Sequence, residues 1–190
     1  MSEHIRAELA HIKPLDAAEQ AHLDDALAWV ASGAPLFRIA KPATPPKHLV
    51  AYFAVVDDDT NHILLVDHRN AQMWLPTGGH VELGEDPRAT VVRELLEELS
   101  ISIEPEQVQA PCMVTVTETV GLTAGHVDVS LWYTVNASRT APVAFDREEF
   151  NDARWFRFDE AARLRSDPHL GRFLAKLASC KKAKQGAAND

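Results

Sequence analysis

Gly78-Gly79-His80-Val81-Glu82-Leu83-Gly84-Glu85-Asp86-Pro87-Arg88-Ala89-Thr90-Val91-Val92-Arg93-Glu94-Leu95-Leu96-Glu97-Glu98-Leu99-Ser100-Ile101 concentrates charge and glycine as no other stretch of the chain does. Its second half predicts a helix over 87–99, with Pro87 suited to the first helical position. Each residue advances about 100° around a helix axis. Val92, Leu95, Leu96 and Leu99 are therefore expected on one face, packed on a sheet. Glu94, Glu97 and Glu98 fall at i, i+3 and i+4 on the opposite face. Three carboxylates at that spacing repel by roughly a few tenths of a kcal/mol per pair. Two readings fit them: a solvated face, or ligands for a hard divalent cation, which takes clustered carboxylate oxygens. The preceding segment tips the balance towards the cation. Gly78-Gly79 allows close backbone approach and unusual dihedral angles in a loop. Glu82 and Glu85 add carboxylates, and Arg93 can pair with one of them to fix that loop against the helix.

In these residues the sequence resembles the Nudix hydrolase family. The family pattern is Gly, five residues, Glu, seven residues, Arg-Glu-apolar, one residue, Glu-Glu, one residue, Gly, apolar. Here it runs Gly79, Glu85, Arg93-Glu94-Leu95, Glu97-Glu98, then Ser100-Ile101. Ser100 stands where the family has Gly. At a helix end that position often takes the left-handed conformation, which costs a non-glycine residue about 1 kcal/mol. No ligand is lost by the change. The resemblance implies a Nudix-type α/β/α sandwich with a mixed sheet. It also implies Mg²⁺ or Mn²⁺ held by Glu94, Glu97 and Glu98, with the Gly78 carbonyl and Glu82 assisting, while Arg93 and Glu85 organise the loop. The implied activity is hydrolysis of a diphosphate linkage in a nucleotide-like small molecule. Such a cation neutralises phosphate oxygens and lowers the pKa of an attacking water. In many members a glutamate on a later loop helps deprotonate that water. The segment 147–155, expected as a loop or single turn ahead of a last strand, supplies Glu149 as first candidate and Glu148 as reserve. The bland reading of both is a solvated loop charge.

Outward from this core, periodicity predicts an α+β domain. A hairpin is expected from 49–56 and 63–66 around the turn-like Asp57-Asp58-Asp59-Thr60-Asn61. Further strands are expected at 73–76, 113–119, 126–135 and 155–158, and helices at 159–164 and 168–177. Residues 1–46 form a helical extension. Ile5, Leu9 and Ile12 share one helical face. Asp16, followed three residues on by Glu19, looks like the capping box of a second helix carrying Leu23, Ala26, Leu27 and Val30. Pro35, Pro42, Pro45 and Pro46 punctuate the connection. A helical pair packed on the core is the simplest role for the extension, with a substrate lid or a homodimer arm as alternatives. The domain itself is set at 47–180, followed by a small polar tail over 181–190 expected to be unstructured.

A formal net charge of -9 argues against general nucleic-acid binding. No apolar run is long enough for a bilayer, and the N-terminus lacks a signal-peptide pattern. The chain is read as cytoplasmic. Cys112 and Cys180 have neither zinc nor disulfide spacing. Both lie after the motif, which disfavours an isopentenyl-diphosphate isomerase, a Nudix-fold enzyme requiring a cysteine ahead of it. A non-enzymatic nucleotide-sensing module is the other rival, disfavoured because every motif carboxylate is kept. Three groups outside the motif stay open. His126, Asp128 and Ser130 alternate along one strand, facing either a substrate cavity or solvent. Arg69 and His68 meet phosphates or sit in a solvated turn. Trp74 and Trp132 stack on a base or fill the core. His80 lies near the expected metal, with nothing in the sequence to make it a ligand.

Overall fold

The computed structural model describes residues 1–41, 43–119 and 124–187; Pro42 of the connection and residues 188–190 of the tail lie outside them. The elements in order are α1 (Ser2–Ala10), α2 (Ala17–Ala31), β1 (Lys47–Asp57), β2 (His62–His68), β3 (Met73–Leu75), β4 (Thr77–His80), α3 (Pro87–Leu99), β5 (Met113–Glu118), β6 (Val127–Asn136), β7 (Phe150–Arg157), α4 (Phe158–Ala161) and α5 (Leu170–Ala187). Seven strands form one mixed sheet in the order β3-β2-β1-β6-β5, with β4 paired to β1 and β7 to β2. β1 is parallel to β6 over Lys47–Val56 and antiparallel to its other partners.

Alternation along β1 assigns the two sheet faces. Leu49, Ala51, Phe53 and Val55 join a core with α1, α2 and α3. Ala54 and Val56 join a second core with α4 and α5, where Trp132 packs on Phe173. The result is the α/β/α sandwich. Trp132 also donates its indole N–H to Thr115 Oγ1 at 2.9 Å, so its ring fills the core rather than awaiting a base. Trp74 packs edge-on against Phe156.

Helix ends follow their sequence signals. Asp16 caps α2 by accepting from the Ala18 and Glu19 N–H groups, while the Glu19 carboxylate reaches back to the Leu15 N–H. Asp86 caps α3 beside Pro87 at its start. Ser100 takes the left-handed conformation at φ 54°, and Ile101 N–H bonds to Leu95 O at 3.1 Å to close the helix end.

The N-terminal helices pack on the sheet core. Ile5, Leu9, Ile12, Leu23, Ala26 and Val30 are buried in it. Buried Glu8 takes two hydrogen bonds from Arg88 of α3, at 2.8 and 3.2 Å. Lys176 of α5 bonds Glu19 of α2 at 2.5 Å.

Four local expectations need correcting. Gly78-Gly79 is a strand, without positive φ, because it pairs with Ala51 and Tyr52 of β1. Only 147–149 of the segment 147–155 is a turn, since Phe150 already opens β7 against β2. Leu96 is 55% exposed, and Val91, Leu95 and Leu99 carry the packing face of α3. Residues 181–187 continue α5 rather than forming a tail.

Candidate active site

β1 pairs with two different strands along its length. Near its end Val55, Val56 and Asp57 face β2, whereas Val50 to Phe53 face β4. The strands diverge between these pairings and leave a cavity of about 490 Å³. Val50, Tyr52, Met73, Leu75, Pro76 and Phe150 give it an apolar wall; Gly78, Gly79, Glu98 and Glu149 line one part, and His80, Asp128 and Ser130 another.

The carboxylate end is built by α3 lying against β4. A Cβ on Gly79 would sit 1.8 Å from Glu94 Oε1, so any other residue there would displace the Glu94 carboxylate from its present position. Arg93 is clamped. It donates from Nε and Nη2 to both Glu85 oxygens at 3.1 and 3.2 Å, from Nη1 to Glu94 Oε1 at 2.7 Å, and from Nη2 to the His80 carbonyl at 3.3 Å. Glu85 also accepts from Thr90 Oγ1 and from the Glu82 N–H. Burial would raise its pKa, but the Arg93 hydrogen bond and the other donors outweigh that and hold it low. Glu85 is thus saturated with donors and serves as the brace that fixes the loop to the helix.

Glu98 has the opposite character. The residue is 8% exposed, and among the described residues its buried Oε2 has no hydrogen-bond partner. Burial, followed by the charges of Glu94 and Glu149, pushes its pKa up to about 9, against the pull of the Gly78 N–H. Burial also raises Glu94, where Arg93 opposes the shift and Glu97 and Glu149 add to it. Glu97 projects outwards, its side chain 61% exposed. A buried carboxylate oxygen ringed by more carboxylates is an environment that a hard cation satisfies in place of a proton. The residues present therefore fit a divalent cation.

Glu149 enters this corner from the turn before β7. Its carbonyl accepts from Arg69 N–H at 3.0 Å, and Asp146 N–H bonds to the Glu98 carbonyl at 2.8 Å, tying that turn to the end of α3. Glu148 is exposed and outside the cavity lining. Arg69 Nε donates to the Phe150 carbonyl at 3.3 Å; Arg69 braces the Glu149 turn and is not among the cavity-lining residues, whereas His68 is. Glu82 is exposed, and its side chain also lies outside the lining.

The row expected at 126, 128 and 130 is only partly a strand row, since β6 opens at Val127 and His126 sits in the bend before it. Asp128 and Ser130 line the cavity, while His126 lies behind them, buried. His126 and Asp128 gather with His48 and His80 into a cluster that the sequence did not reveal. His48 comes from β1, opposite Asp128 across the parallel β1–β6 ladder. Burial, followed by the charge of Arg38, pushes the His80 pKa down to about 4. Cys112 is not among the cavity-lining residues, and burial raises its thiol pKa to about 12.

A family model described as NUDIX domain matches residues 47–177. No curated protein gave a significant match to the chain. Among solved structures, the chain is similar to the NUDIX domain of Shewanella oneidensis NrtR complexed with ADP ribose (16% identity, 69% of this chain and 86% of that one, TM-score 0.56). It is also similar to the E. coli ORF135 protein (24%, 75% and 96%, TM-score 0.54). A third match is the E. coli dihydroneopterin triphosphate pyrophosphohydrolase (21%, 61% and 84%, TM-score 0.53). At these identities the structures support the fold.

Proposed function

The chain belongs to the Nudix family of hydrolases, and we propose that it cleaves a phosphoanhydride bond in a nucleoside diphosphate-linked compound or a nucleoside triphosphate, with Mg²⁺ or Mn²⁺ as cofactor. The observation that carries this reading is the donor-free Glu98 oxygen, buried beside Glu94 and facing Glu149 at the cavity edge. Glu94, Glu97 and Glu98 would hold the cation, with the Gly78 carbonyl beside them; Glu82 would have to turn inward to join. Bound there, the ion would offset diphosphate charge and make water more acidic.

The chain's own residues supply the rest. Arg93 holds Glu94 in place through its 2.7 Å bond and is itself held by Glu85. The Glu149 carboxylate takes the proton of a water attacking phosphorus, while the anhydride oxygen on the far side leaves with its electron pair. Two phosphate-terminated products result. The apolar wall of Tyr52, Met73, Leu75 and Phe150 suits a base or other flat group, and a cavity of about 490 Å³ is within the usual size for such ligands. Two unpaired thiols suit a reducing cytosol. Among the described residues, no helix is long and apolar enough to cross a membrane.

The test is a screen of nucleoside triphosphates, dinucleoside polyphosphates and diphosphate-linked sugars with purified protein and Mg²⁺, scored by phosphate-containing products. Turnover of at least one class, lost on adding EDTA, is expected. Turnover of none, or turnover indifferent to EDTA, would overturn the assignment.

A further inference from the structure

We propose that His48, His80, His126 and Asp128 form a binding site for a transition-metal ion of the Zn²⁺ class, separate from the carboxylates of α3. One potential ligand atom from each of the four lies within 4.8 Å of every other. Asp128 Oδ1 is 3.3 Å from His48 Nε2 and 3.3 Å from His126 Nε2. A tetrahedral ion with bonds of about 2.0–2.1 Å has ligand–ligand edges of about 3.3–3.4 Å. Two edges of such a tetrahedron are thus already in place, and the remaining ones, within 4.8 Å, would close as the ion binds.

Hydrogen bonding decides what these atoms present to one another. His48 Nδ1 lies 2.8 Å from the Pro45 carbonyl, which can only accept, so the proton of a neutral His48 is on Nδ1. Its Nε2 then directs a lone pair at a carboxylate oxygen, two acceptors facing each other. His126 repeats the arrangement: its Nδ1 faces Thr119 Oγ1 at 3.2 Å, and that hydroxyl donates to the His126 carbonyl. Among the described residues, His48 Nε2, His80 Nε2 and Asp128 Oδ1 are buried without a hydrogen-bond partner, and His48 is 0% exposed. A cation between them satisfies all three. An Nδ1–H donated to a backbone carbonyl is also the outer bond that orients metal-bound imidazoles.

The ligand set selects the metal. Imidazole nitrogens suit Zn²⁺ and its neighbours, whereas Mg²⁺ takes oxygen. Two cations of different chemistry then share one cavity, because His80 and Asp128 line it along with Glu98. The ion would pin β1, β4 and β6 together at the cavity floor. The proposal holds whether or not α3 binds Mg²⁺.

The experiment uses full-length protein without a histidine tag. It is stripped with a chelator, loaded with Zn²⁺ in excess Mg²⁺, passed through gel filtration and assayed for metal by mass spectrometry. About one Zn²⁺ per chain is expected in the wild type and in the Glu97→Gln/Glu98→Gln variant. His126→Gln and Asp128→Asn should raise the Zn²⁺ Kd at least about tenfold, with folding checked by circular dichroism. Wild-type protein loaded with Co²⁺ should show the intense visible bands of tetrahedral coordination, which requires no variant to fold. Wild-type protein that retains no Zn²⁺, or lacks those bands, would overturn the proposal. So would Zn²⁺ lost with the Glu97→Gln/Glu98→Gln change but kept in folded His126→Gln.

Discussion

The two ends of the cavity solve one electrostatic problem in different ways. At the α3 end, Glu94, Glu97 and Glu98 are carried by a single helix, and an arginine and a second glutamate hold that helix against β4. At the other end, His48, His80 and Asp128 come from three strands, and His126 from the bend just before β6. Among the described residues, both ends bury polar atoms that make no hydrogen bond. One is oxygen-only and repels itself through negative charge. The other is mostly nitrogen, gathered around the single carboxylate of Asp128. On the two proposals made above, each would take a cation, but not the same cation.

The sharpest way to break this contrast is at the helix. Glu97→Gln and Glu98→Gln should each lower phosphoanhydride hydrolysis well over tenfold in folded protein, measured as kcat/KM with saturating Mg²⁺. Full activity in both variants would sink the carboxylate assignment. Next in size is Glu149→Gln, expected to lower kcat at least about tenfold and to flatten the acidic limb of the pH profile. An unchanged profile would remove Glu149 as the base and leave the metal ligands standing.

A smaller effect concerns stability. The Glu98 pKa is raised to about 9 in the folded chain, mainly by burial. A raised carboxyl favours folding while it stays protonated, so its contribution is complete below the unfolded value, near 4.5, and is lost as pH rises through about 9. Metal-free wild type should therefore lose stability across that window, by up to about 1.4 kcal/mol per pH unit from this group. Glu98→Gln should flatten the slope in calorimetric melts and melt higher than wild type at alkaline pH. Equal slopes would show that Glu98 is not buried as described. The smallest expected effect is at the thiols. Cys112→Ala with Cys180→Ala should leave kcat/KM within about twofold, since neither cysteine lines the cavity. A folded double variant without turnover would give a thiol a role.

The two ends also differ in how much of them the sequence could reveal. A helix repeats every 3.6 residues, so three carboxylates within five positions declare a shared arc without any tertiary information. They do not declare that Glu98, expected opposite the packing face, is buried beside Val91 and Leu95 while Glu97 stays exposed. Asp86 and Pro87 at the start of α3 were as legible as that arc, and so was Ser100 at its end. Arg93 and Glu85 were legible because the motif ties them to one loop. The histidine cluster has no local signature. His48 meets Asp128 only because β1 and β6 run parallel in one particular register, with 80 positions between the partners. Local periodicity cannot set such a pairing. Leu96 was misplaced for a related reason: an apolar residue on a helix says which side can pack, and the sheet's position decides how much of that side does. Residues 181–187 were read from composition as tail, although the preceding apolar stripe of α5 continues its helix through them.

The central claim, that the α3 carboxylates bind the hard cation, is tested most directly by titrating Mn²⁺ into metal-stripped protein and following free Mn²⁺ by electron paramagnetic resonance. The account predicts saturable binding that Mg²⁺ displaces, that Glu97→Gln and Glu98→Gln weaken at least about tenfold, and that His126→Gln retains. Mn²⁺ binding unchanged in both glutamate variants, or abolished in folded His126→Gln alone, would contradict it.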